Sequence, residues 1–434
     1  MDTLPIRSSR YAILAALAIA ILLPVASIAR HRDGDRIARR RPHRHEGRHR
    51  EGRERRTIVV RPGESIQAAL DRARPGTRIL VLPGVYHETS DPTGTNALHV
   101  TKSGIRLIGL SRGDRRVVVE NAGGQMNGIV VVPEDRTQCM GCHQSMSPPF
   151  ALREGVTHSG PGFPEPLLHG IEIKGITIQG FSNNGLFTER VNGFHIQDVQ
   201  SIDNADYGIF PTRSVNGVVE NSYVSGSDDA GIWVETSENV VVRHNLVEDN
   251  VNGLEVSNSD NILFLRNESR FNTAGALLLL ESDLVPFRPT SSRNVFRENW
   301  IHHNNRTNTG AGGLLAAVPQ GTGILHLAVD DARIEGNTIE DNDFVGIAVT
   351  DFCLAVMGTP FDCSAMPPAF DPAPERNRIL GNVLRNNGTH PPNNPFSFVA
   401  GDIALLTLGD KQNCFEENLF ASFFSLLGLL PGCP

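Results

Sequence analysis

No segment in the repeating body of this 434-residue chain sustains a 3.6-residue apolar period, which excludes helical repeats as its architecture. Basic groups are scarce there too. Outside the first ten residues and the segment 30–56, the chain carries 26 Lys and Arg against 42 Asp and Glu, near −16, although the total is −8. Nucleic acid is therefore excluded as a partner, because affinity for it comes from neutralising phosphates. An anionic polysaccharide meets the same repulsion unless cations bridge it. Cysteines number only six. Cys353 and Cys363 bracket a Pro-containing loop, and Cys414 and Cys433 bracket the C-terminal tail. Local pairing of each is expected in an oxidising compartment.

Long apolar runs are rare as well. Tyr11–Ala29 is broken only by Pro24 and Ser27, follows Arg7 and Arg10, and ends in small residues. That is the layout of a secretory signal peptide. An uncleaved membrane anchor is the alternative, although the run is short for a span of about 20 residues. Residues 30–56 hold 12 Arg, 4 His and 5 acidic groups. Such composition gives a disordered linker, or a tether to anionic membrane or polysaccharide. Its positive charge works against export, whereas the two cysteine pairs favour it. The expected organisation is a signal peptide or anchor over 1–29, a linker over 30–56 and one domain over 57–434. The expected location is periplasmic or secreted, or membrane-anchored.

What is present is a repeat. Glycine followed by apolar–x–apolar recurs at Gly185, Gly208, Gly231, Gly253 and Gly275, spaced 23, 23, 22 and 22 residues apart. A second strand-like segment follows each, and asparagines mark the turns: Asn221, Asn245, Asn267, Asn299, Asn337, Asn382 and Asn418. Such a period signifies a solenoid of stacked strands. Neighbouring coils would lie about 4.8 Å apart, with buried asparagine amides bonding along the stack. Ile66, Ala69, Leu70 and Ala73 fall at helical spacing in PGESIQAALDRARPG, a short helix capping the first coil. LFASFFSLLGLL is apolar enough to cover the last one. Inserts at 283–292, 307–322 and 354–376 are expected to project as loops on one side.

The opening TIVVRPGESIQAAL…GTRILVLPGVYHE resembles the start of pectin-lyase-like β-helix proteins. The stretch DYGIFP…SDDAGIWV…VNGLEVSNS…GALLLLES…GTGILHLA resembles bacterial exported parallel β-helix repeat proteins. The resemblance spans about residues 57–350. It implies an all-β fold, a right-handed single-stranded parallel β-helix with a short N-terminal capping helix. Because the wider superfamily mostly binds, cleaves or epimerises carbohydrate, it also implies a polysaccharide partner, with hydrolase, lyase or epimerase chemistry if catalytic.

The repeat register stacks side chains into columns. Two residues after each glycine the column reads Phe187, Phe210, Trp233, Glu255, Leu277. This is an outward aromatic ladder, suited either to stacking on sugars or to packing beneath an inserted loop. Two residues before each glycine it reads Asn183, Asp206, Asp229, Val251, with Asp228 beside Asp229. Carboxylates one coil apart cannot both ionise freely, so one is expected to hold its proton. They offer a general acid and base, or oxygen ligands for Ca²⁺; capping of turn amides is the structural alternative. Arg190 and Arg213 also stack and are placed to contact a uronate. Asn204–Asp206 followed by Asp228 and Asp229 is similar to the aspartates of β-helical polygalacturonases, which hydrolyse with inversion. Their Gly-His-Gly and Arg-Ile-Lys segments are absent here.

Within a Pro- and Gly-rich insert at about 133–169 lies CMGCH, Cys139–His143. It has the form of a c-type haem attachment site, with Cys139 and Cys142 as thioether positions and His143 as proximal ligand. His158, His169 and Met126 are the candidate distal ligands. A Cys139–Cys142 disulfide, or zinc held with His143 and His158, competes. A haem-bearing redox carrier and a non-catalytic binding scaffold are therefore the alternative functions. His302 and His303 fall in polar turns and are expected to be solvated.

Overall fold

The computed structural model describes residues 56–89, 94–134, 167–356, 363–409 and 411–434. The N-terminal segment expected to direct export and the CMGCH motif lie outside them. Among the described residues no helix is long and apolar enough to cross a membrane.

The chain winds into coils, each giving one short strand to each of three sheets. Sheet A has 12 strands, sheet C 11 and sheet B 10, and strands of successive coils lie side by side. A typical coil runs through Leu186–Glu189 in sheet C, Val191–Gln197 in sheet A and Gln200–Ile202 in sheet B. Each pairs in parallel with its counterpart one coil on. The architecture is the expected right-handed parallel β-helix.

Glycine recurs for a steric reason. A Cβ on Gly208 would collide with Val224 Cγ1 and the Gly231 carbonyl, and one on Gly253 with Ser269 Oγ. The corner between sheets B and C is thus too tight for any side chain. The next residue in each coil, Ile209, Ile232 or Leu254, points inward and is fully buried in one continuous core.

Asparagines satisfy the corners that the core cannot. Along one corner Asn245, Asn267, Asn299, Asn337, Asn382 and Asn418 form a ladder, each Nδ2 donating to the next Oδ1 at 2.9–3.0 Å. Asn221 is not a rung of it. It is exposed with φ 51°, and Ser222 takes the rung instead, donating its amide to Asn245 Oδ1 at 2.9 Å. A second ladder runs from Asn250 through Asn272, Asn304 and Asn342 to Asn387.

The first coil is capped as expected. Helix Ile66–Arg72 buries Ile66, Ala69 and Leu70, and Ser65 Oγ accepts from the Ala68 amide. Buried Glu88 completes the cap, accepting from Ser65 Oγ at 2.7 Å and from the Ile66 amide at 2.6 Å. Negative charge at a helix N-terminus opposes the unpaired amides. At the far end Phe420, Leu427 and Leu430 pack on the core, while Leu419, Phe423, Leu426 and Leu429 stay exposed. Disulfides join Cys353 to Cys363 and Cys414 to Cys433, as the spacing implied.

Every long insert borders sheet C. Residues 283–292 and 354–376 leave its C-terminal edge towards sheet A, and 307–322 enter it from sheet B. One expectation fails on sheet B. His302 is buried rather than solvated, because its ring lies flat against Trp300 at 3.9 Å and its Nδ1 sits 2.9 Å from that of His303.

Candidate functional site

The outward face of sheet C gathers the candidate residues. The column register is as expected: Phe187 faces Phe210, Trp233 faces Glu255, and Glu255 faces Leu277. Its exposure is not. Phe187, Phe210 and Trp233 are 1%, 0% and 7% exposed. Tyr207, one residue before the glycine, packs its ring 4.7 Å from Phe210 and 4.9 Å from Trp233, and Phe210 lies 5.4 Å from Phe187. With Val130, Val132 and Ala230 these rings form an apolar cluster outside the main core. Phe210 and Trp233 stack face to face at 4.4 Å, and Trp233 Nε1 donates to Ser257 Oγ at 2.8 Å. The aromatics are a packed wall, not an open platform. Leu277 is likewise buried, in a neighbouring apolar cluster.

Asp206 and Asp229 stand at the edge of this wall, both half-buried. Their backbones fix the stack: the Asp206 amide donates to the Asn183 carbonyl and the Asp229 amide to that of Asp206. Burial, then the charge of Asp228, pushes Asp206 up to about 6. Asp229 is also raised, by burial first and Asp206 second, against a hydrogen bond from Tyr207. The expected direction holds, but loss of water contributes more than mutual repulsion. Asp228 is exposed, with Thr309 Oγ1 at 3.5 Å and the Arg306 guanidinium at 3.8 Å. Among the described residues none of these three carboxylates caps a backbone amide.

A deeper set of acids lies alongside. Glu255, 6% exposed, accepts from Asn252 Nδ2 at 3.0 Å. Burial and the charge of Asp229 hold it well above the usual carboxylate range. Four residues after each glycine a further column runs Glu189, Thr212, Glu235, Ser257. Glu235 accepts from Thr212 Oγ1, and burial pushes it up to about 7. Glu189 and Glu281 are raised by burial as well. So many buried carboxyl groups with so little neutralising charge are costly for folding, which makes this face the candidate functional site.

The two arginines serve this chain's own groups. Arg213 lies 3.5 Å from Glu189 and stacks on Phe287 of the 283–292 insert at 4.3 Å. The charge of Arg190 acts on Glu189 too. That insert is anchored by Arg288, which pairs with Asp260 and Glu238. Among the described residues no three His, Cys, Asp or Glu side chains are arranged to hold a metal ion. Cys139, Cys142 and His143, with His158, lie outside the described residues; His169 is exposed and Met126 half-buried. Tyr207, Asn252, Glu189, Glu235 and Glu281 escaped the sequence reading. Four of them fall in two further columns, one residue before and four after each glycine, whose residue type changes from coil to coil.

No curated protein matches this chain in sequence. Residues 168–355 match the family model of the right handed beta helix region. Among solved structures, the A-module of mannuronan C-5 epimerase AlgE4 from Azotobacter vinelandii is 16% identical with a TM-score of 0.50, over 83% of this chain and 94% of that one. DFA-IIIase from Arthrobacter chlorophenolicus A6 without its lid is 13% identical with a TM-score of 0.49, over 81% and 79%. Pectate lyase Pel9A is 14% identical with a TM-score of 0.44, over 76% of each chain. The three parallel sheets, the glycine-cornered coils and the family match over residues 168–355 together show that this chain folds as a right-handed parallel β-helix.

Proposed function

We propose that this protein is an exported enzyme that processes polysaccharide by general acid–base chemistry on the outward face of sheet C. The observation that carries the reading is the half-buried Asp206–Asp229 pair, one coil apart, both raised above the ordinary carboxylate value. A group that donates or accepts a proton works best with its pKa near the working pH. Near neutral pH the pair shares a proton, so that one carboxyl serves as the acid and the other as the base. Tyr207 orients Asp229, and the Phe210–Trp233 wall keeps the pair desolvated. The likeness in fold to a mannuronan epimerase supports carbohydrate as the substrate.

The test is a polysaccharide panel assayed for reducing ends, unsaturated products and epimerised residues. Asp229→Asn is expected to lower turnover by about 100-fold or more, the usual worth of a general acid, with unchanged circular dichroism. Full activity in that variant removes Asp229 from the chemistry, and silence across the panel removes the enzymatic reading.

A further inference from the structure

On the reading that this face processes polysaccharide, we infer that its binding strip is built for an uncharged sugar, recognised through hydroxyl groups by Asn252 and Glu255. Asn252 lies one residue before a glycine, in the column that holds Tyr207 and Ala230. It is 1% exposed, and its Nδ2 donates to Glu255 Oε2 at 3.0 Å. Its Oδ1 has no hydrogen-bond partner in the protein. A buried acceptor left without a donor is costly, and a ligand that supplies the donor recovers that cost on binding.

A second such oxygen stands in the same column. Asn184, also 1% exposed, donates through Nδ2 to Asn127 Oδ1 at 2.7 Å while its own Oδ1 is unpartnered. Tyr207 and Ala230 separate Asn184 from Asn252, so the two acceptors are three coils, about 14 Å, apart along the stack. Asp206 and Asp229 border the interval between them. The strip therefore offers acceptors at both ends and carboxyl groups between.

The ligand must bring hydroxyl donors and no negative charge. A uronate would set its carboxylate against Asp228 and the charge carried by the Asp206–Asp229 pair. Of the nearby arginines, Arg213 serves Glu189 and Phe287, and Arg306 faces Asp228 at the rim through Nη2. Glu255 in its neutral form donates to a sugar oxygen and costs no charge pairing. This separates the substrate class from the anionic mannuronan of the similar epimerase.

Isothermal titration of the full chain tests this, using cellohexaose, mannohexaose and other neutral hexaoses against hexagalacturonate and hexamannuronate, in EDTA and again in CaCl₂. At least one neutral oligosaccharide is expected to bind about tenfold more tightly than either uronate in both buffers, and Asn252→Ala to weaken it by about tenfold. Equal or tighter binding of a uronate overturns the inference and leaves the polysaccharide reading standing. Unchanged affinity in a folded Asn252→Ala protein overturns it as well. Glu255→Gln, which keeps a neutral hydrogen-bonding end, is the second variant. It should retain neutral-sugar affinity, and a loss beyond tenfold refutes the uncharged role of Glu255. Binding of no oligosaccharide of either charge refutes the carbohydrate reading itself, and the inference with it.

Discussion

Glu235 gives the sharpest quantitative prediction. Its carboxyl is 6% exposed and accepts from Thr212 Oγ1, yet burial pushes it from 4.5 up to about 7. Between those two values the folded protein holds a proton that the unfolded chain has released. Stability must therefore fall as pH rises through that window. At 1.36 kcal/mol per unit, the difference amounts to about 3 kcal/mol lost by pH 8 relative to pH 4. Glu235→Gln replaces the protonated acid with a neutral near-isostere that cannot ionise. It should be close to neutral at pH 5 and stabilising by up to about 3 kcal/mol at pH 8. Urea unfolding of both proteins at half-unit steps from pH 4.5 to 8.5 measures this directly. A gain that is the same at every pH would mean that Glu235 titrates normally in the fold, and would refute the argument that its surroundings withhold water.

Asn299→Ala removes a rung whose Nδ2 serves Asn337 and the Phe264 carbonyl and whose Oδ1 serves Asn267. It should cost about 2–3 kcal/mol, since buried partners are left unsatisfied; a loss below 1 kcal/mol in the same urea assay would show that water replaces the amide. Tyr207→Phe deletes the hydrogen bond that holds Asp229 down, so the limb of the pH–rate profile assigned to Asp229 should move to higher pH. An unmoved limb assigns it to another group. At CMGCH, covalent haem predicts a Soret band that survives acid–acetone extraction of protein made in a haem-attaching host. A colourless product in which Cys139 and Cys142 resist alkylation until reduced identifies a disulfide instead.

The columns were legible in the sequence because a parallel β-helix converts a constant spacing into a constant position. Glycines 22–23 residues apart placed Phe210 beside Phe187 and Asp229 beside Asp206, and both neighbours are real. Burial was not legible. An outward side chain on a solenoid faces solvent only if nothing folds over it, and Tyr207 packs on Phe210 and Trp233 from a position that carries no periodic signal. Glu235 and Glu189 were invisible for a related reason. Their column alternates acid with hydroxyl, so it reads as ordinary strand polarity until burial is known. Asn221 shows the limit of matching residue types: the rung is set by the corner geometry, and Ser222 occupies it one position later.

The asparagine ladders also constrain how this protein can change in length. Every rung takes its partner from the coil before and offers itself to the coil after. A deletion of one or two residues within a coil throws every later rung out of step. Removal or duplication of a whole coil restores the match. The longest additions lie at the borders of sheet C, where the chain leaves one sheet before joining the next. The stack is therefore quantised: its length varies in complete turns, and its working face varies freely at the margins. A lineage of such proteins can remodel the rim of the acidic strip while the ladder beneath it stays fixed.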